Sequence, residues 1–144
     1  AIQKETSLFN YAKLSYELGY MDAALKSFQD FIARYPAALS LQEAKELLVS
    51  TLANTSGYEE GLALYESLAV KSENAMKIYP RLLYGRSVEL VNDQEIEEAD
   101  LLLTRLLQVP YNTPQMPLAY FWKGEIAYRT GGTDAAIGFI TNYL

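Results

Sequence analysis

Apolar and polar positions along this chain recur with helical rather than strand periodicity. From Leu8 to Pro36, LFNYAKLSYELGYMDAALKSFQDFIARYP, large side chains return at steps of three and four on either side of Gly19, which predicts two amphipathic helices joined at that glycine. The small residues Ala12 and Ala24 lie where the two helices would press together. A hairpin of this size cannot bury its apolar face alone, so the pattern has to recur for the unit to be stable. Aligned on their small residues, the pairs Ala12 and Ala24, Val49 and Gly61, Ser87 and Ala99, and Gly124 and Ala136 are each twelve residues apart. Four residues after the second member come Phe28, Tyr65, Leu103 and Ile140; seven after it come Phe31, Leu68, Leu106 and Tyr143. Steps of four and seven share one helical face. The second members are separated by 37, 38 and 37 residues. One helical hairpin used four times is therefore expected, in an all-α fold.

The helix boundaries follow from local chemistry. Pro36 closes the first hairpin, Ser40 with Glu43 predicts a capping box at the start of the third helix, and Gly57 separates the third helix from the fourth. Asn92 with Glu95 predicts a second capping box ahead of a sixth helix that runs to about Val109. Pro110, Asn112, Thr113 and Pro114 cannot continue a helix and form a loop. Pro117 suits the first turn of a seventh helix, Gly131 and Gly132 stop it, and Thr133 is placed to cap the eighth. Pro80 follows the helically spaced Ala75, Met76 and Tyr79. An interior proline costs about 3 kcal/mol, so the fifth helix either starts at Pro80 or starts near Asn74 and bends; the apolar spacing favours the second. No strand-like alternation, sustained heptad register or low-complexity linker interrupts this pattern.

Composition narrows the function more than the fold. The 144 residues suit one domain, 1–144, and their 50% hydrophobic content argues against a disordered tail. A net charge of -6 opposes binding to phosphate backbones or anionic membranes, so nucleic acid is not an expected partner. With neither cysteine nor histidine, the chain lacks disulfides, thiolate nucleophiles, the commonest general base and the best transition-metal ligands. No apolar run reaches the roughly 18 residues that span a bilayer. The chain opens on Ala1 and stops at Leu144, just short of where a hairpin-closing proline would fall. It is expected to be a piece of a longer repeat array, with any leader or lipid anchor outside it.

The repeat carries a family resemblance. The first unit places Leu8, Tyr11, Ala12, Gly19, Ala24, Phe28 and Pro36 in the register of the tetratricopeptide pattern, departing from it by having Ser15 with Tyr16 one place late. The fourth, AYFWKGEIAYRTGGTDAAIGFITNYL, supplies Gly124, Tyr128, Gly131, Ala136 and Ile140; the middle two lack the first-helix glycine and the closing proline. The chain thus resembles tetratricopeptide repeat proteins over nearly its full length. Its segments Phe9 to Gly19 and Ala119 to Tyr128 are similar to bacterial envelope members, including the Tol-Pal-associated division coordinator, the outer-membrane assembly lipoprotein and Bacteroidetes multi-repeat proteins. The resemblance implies a right-handed superhelix of about four antiparallel hairpins, a place in the periplasm or cell envelope, and a non-enzymatic scaffold that binds a peptide or partner protein in its concave groove.

In such a solenoid the first helices line the concave side. The stripe the resemblance makes ligand-facing is Phe9, Lys13 and Tyr16 in the first unit, Glu46 and Ser50 in the second, Tyr84 and Val88 in the third, and Phe121, Glu125 and Tyr128 in the fourth. Its aromatics would make an adhesive groove, or alternatively pack against the next hairpin. The basic, Asn-rich set that grips chaperone C-termini is absent apart from Lys13. Carbohydrate binding on the same rings and a purely structural spacer are the other readings. No catalytic, cofactor or metal residues are assigned. The acidic cluster Asp93, Glu95, Glu97, Glu98 and Asp100 sits where carboxylates complement a helix N-terminus, and Gly131-Gly132 has no phosphate-loop context. Among Tyr120, Phe121 and Trp122, one ring at least must face outward or toward a following repeat.

Overall fold

A computed structural model describes residues 2–143, save for the side chain of Thr133, and among them there are eight helices and no strand. They are α1 (Ile2–Glu17), α2 (Met21–Arg34), α3 (Leu41–Asn54), α4 (Tyr58–Ser67), α5 (Glu73–Asn92), α6 (Ile96–Leu106), α7 (Met116–Arg129) and α8 (Thr133–Tyr143). The all-α reading from periodicity holds. The chain divides into two compact units, Ala1–Ile78 and Tyr79–Leu144. No helix among the described residues is long and apolar enough to cross a membrane.

The hairpins share one turn. Backbone φ is positive at Gly19 (85°), Ser56 (61°), Gln94 (65°) and Gly131 (84°), each just past the first helix of its pair. In the first hairpin the Tyr20 N–H donates to Ser15 O at 2.8 Å and the Gly19 N–H to Tyr16 O at 3.1 Å. The same two bonds recur as Glu95 to Leu90 and Gln94 to Val91, and as Gly132 to Ala127 and Gly131 to Tyr128. These are Schellman closures, which satisfy the last carbonyls of a helix through a left-handed residue. Two of the four turns use a residue other than glycine, so the glycine pattern in the sequence marks only half of them.

Both expected capping boxes fail. Ser40 occupies the N-cap of α3 but its side chain makes no capping bond; Glu43 instead accepts a hydrogen bond from Lys13 of α1. Asn92 is the last residue of α5, and Glu95, not Asn92, stands at the N-cap of α6. A side-chain cap does form at Ser72, whose Oγ accepts from the Ala75 N–H at 3.1 Å at the start of α5. That helix begins one residue before Asn74 and continues through the buried Pro80. Gly57 is the N-cap of α4. The sixth helix stops at Leu106 rather than Val109, where Asn112 Nδ2 donates to the Leu106 carbonyl at 2.9 Å. The loop at 110–114 and the position of Pro117 in the first turn of α7 are as expected. The cap expected at Thr133 lies outside the described side chains.

In the first unit Phe9, Ala12, Ala24, Phe28, Phe31, Ala44, Leu48 and Leu52 form the buried cluster. Ala12 and Ala24 have no exposed surface, which is the close approach that the small residues predict. In the second unit Ser87, Ala99 and Ala136 are likewise buried. At Gly124 a Cβ would come within 2.9 Å of Ile140 Cγ1 and 3.3 Å of the Ala136 carbonyl, so α7 and α8 pack closely enough there that any added side chain would force Ile140 or the helices to shift. The apolar positions four and seven residues on are buried in three copies of the repeat. In the fourth, Ile140 and Tyr143 remain 42% and 39% exposed.

Candidate interaction surface

Within the first unit, the expected ligand-facing stripe is a seam between α1 and α3. Phe9 is not a surface residue: it is buried, with its ring 5.4 Å from that of Phe31. Lys13 Nζ donates to Glu43 Oε2 at 2.9 Å. That hydrogen bond, and then the Glu43 charge, raise the Lys13 pKa above its ordinary value. The Tyr16 hydroxyl lies 2.6 Å from Ser50 Oγ, and Ser50 is itself buried, so it too is no open binding residue. Glu46 accepts from Gln42 Nε2 at 3.0 Å and from the Ser72 hydroxyl, which holds the residue that caps α5. Every polar side chain of this half of the stripe is therefore engaged by another side chain of the protein.

The second unit differs. Trp122 Nε1 on α7 donates to the Tyr84 hydroxyl on α5 at 3.1 Å, and Val88 is half-buried. Phe121 and Tyr128, seven residues apart on one stripe of α7, are 40% and 68% exposed. Between them Glu125 Oε1 accepts from Arg129 Nε at 3.1 Å. The Phe121 ring lies 5.6 Å from Trp122 in an edge arrangement and 5.5 Å from Tyr143. Of the three consecutive rings, Phe121 is the one that faces outward.

Phe9 and Phe121 hold the same place in the repeat, as do their ring partners Phe31 and Tyr143. The pair is built twice, at 5.4 Å and 5.5 Å. In the first unit α3 covers it and it becomes core; on α7 and α8 it stays open. Position in the repeat decides which side chains pair. The neighbouring hairpin decides whether the pair is exposed.

A second apolar surface lies off the small-residue face of α1, where the repeat alignment does not look. An open groove of about 670 Å³ runs between α1 and the start of α2, lined by Tyr11, Leu14, Leu18, Tyr20 and Met21. Its signal in the sequence is the spacing of three and four between Tyr11, Leu14 and Leu18.

The acidic cluster is dispersed. Glu97 and Glu98 lie in the first turn of α6, while Asp100 Oδ1 accepts from Lys123 Nζ at 2.9 Å. Among the described residues no group of three or more acidic side chains could hold a metal ion. No family model matches this chain, and no curated protein matches it significantly.

Proposed function

We propose that this chain is a non-enzymatic interaction scaffold of the tetratricopeptide type, holding a peptide or partner protein against the aromatic stripe of α7. The observation that carries the reading is the exposure of Phe121 and Tyr128 on one face of that helix, with an ion pair between them. Large rings lose little conformational freedom when they are covered and contribute much area, so exposed aromatics are effective anchors for a partner. The ionisable residues of the stripe support a binding role over a chemical one. Lys13, Glu46 and Glu125 each hold another side chain.

The test is selection of a displayed random-peptide library on the immobilised chain. Apolar and aromatic peptides should be enriched, and their affinity should fall at least tenfold in a Phe121→Ala, Tyr128→Ala double variant of unchanged helical content. Retention of the same peptides by the variant, or no enrichment at all, overturns the proposal. An exposed ring beside an ion pair is also a surface on which a sugar can stack. A glycan array binding the chain but not the double variant would replace the peptide with a carbohydrate.

A further inference from the structure

The exposed ring of α7 has a neighbour that no other copy of the repeat supplies. Two residues before the first small position stand Asn10, Leu47, Gly85 and Trp122 in successive copies, so the fourth alone carries an aromatic there. Trp122 is also the only tryptophan of the chain. Two contacts hold its indole. Nε1 donates to the Tyr84 hydroxyl of α5 at 3.1 Å, and the ring meets that of Phe121 at 5.6 Å with the planes at 84°. Trp122 is half-buried, while Phe121 beside it is 40% exposed.

An edge-on ring pair has a preferred geometry, so fixing one ring restricts the other. A directional hydrogen bond at Nε1 selects one orientation of the indole among those its side-chain torsions allow. The Tyr143 ring, 5.5 Å from that of Phe121 with the planes at 56°, adds a further restraint. In the first unit the equivalent ring, Phe9, is buried and is fixed by the core around it. An exposed anchor has no such surroundings, and a ring already in its bound orientation loses less freedom when a partner covers it. Tyr84, which the repeat register places on the ligand-facing stripe, turns its hydroxyl to Trp122 instead.

We infer that Tyr84 is a positioning residue: through Trp122 it holds the Phe121 ring in the orientation that a partner meets, without touching the partner itself. The inference rests on the reading of α7 as a binding surface. The contacts from Tyr84 through Trp122 to Phe121 lie within one compact unit, and they hold the ring whatever comes to cover it.

Tyr84→Phe removes the hydroxyl and keeps the ring. Because Trp122 is the only tryptophan, its fluorescence anisotropy decay reports that side chain alone. At unchanged helical content, the variant should show a fast local component that the unaltered chain lacks. Identical decays overturn the inference whether or not any peptide is captured, so this measurement is separate from the test of the α7 surface. For peptides selected on the chain, Tyr84→Phe should weaken binding about three- to tenfold, the size expected from one neutral hydrogen bond. In a Phe121→Ala background the same change should weaken it no further, since no ring is left to position. An equal loss in both backgrounds would mean that Tyr84 meets the peptide directly, and it overturns the positioning role. Unchanged affinity in Tyr84→Phe alone overturns it as well.

Discussion

At the scale of the residue, the four left-handed turn positions recur at 37, 38 and 37 residues, the interval of the small residues, so the backbone repeats as faithfully as the packing. A residue with a Cβ costs about 1–2 kcal/mol in that conformation. Glycine escapes this but gives up about 0.5–1 kcal/mol of chain entropy. Gln94→Gly should therefore stabilise the chain by up to about 1 kcal/mol, and Gly131→Ala should destabilise it by about 1 kcal/mol or more. Urea unfolding of the two variants measures both, and shifts of the same sign would contradict the turn assignment. Gly19 and Gly131 were legible in the sequence because the residue type advertises the conformation. Ser56 and Gln94 were not, since there the repeat imposes a conformation the residue does not favour.

At the scale of the element, two lysines illustrate how helices are joined. Lys123 is 10% exposed at its side chain and its ammonium has three partners: Asp100 of α6 at 2.9 Å, Thr104 of α6 at 2.7 Å, and the Phe139 ring of α8 at 5.2 Å from its centroid. It holds α7 to α6 and to α8. Lys13 joins α1 to α3 through Glu43, but with 42% and 50% of the two side chains in water. Solvent screens the second pair far more than the first. Asp100→Ala should cost about 1–3 kcal/mol, because it leaves a nearly buried ammonium short of an acceptor. Double-mutant cycles should give a coupling above about 1 kcal/mol for Lys123 with Asp100 and below it for Lys13 with Glu43. Equal couplings would show that burial is not what separates them. The lysine pairings were hidden in the sequence because they depend on which helix lies opposite. Glu43 read as half of a capping box, and only the approach of α1 to α3 gave it a different partner.

At the scale of the whole molecule, cover is unevenly shared among the hairpins. The described side chains of α8 include a single buried one, Ala136, whereas α2 has four and α3 seven. Helices with few buried contacts open locally at lower cost than the core does. Native-state hydrogen exchange at low protein concentration should show α8 amides exchanging through a smaller opening free energy than those of α2 and α3. Uniform protection along the chain would contradict this gradient.

The sequence by itself determined the helical period, the eight-helix order and the small residues at which α1 approaches α2 and α7 approaches α8. All of these depend on residue size and spacing, which a linear pattern carries. Only the tertiary structure decided which of two equivalent aromatic pairs is core and which is surface. Phe9 with Phe31 is covered by α3, whereas Phe121 with Tyr143 is not covered. Exposure is a property of the neighbour rather than of the residue. For that reason the stripe from Phe9 to Tyr128 resolved into a polar seam in one unit and an open aromatic surface on α7.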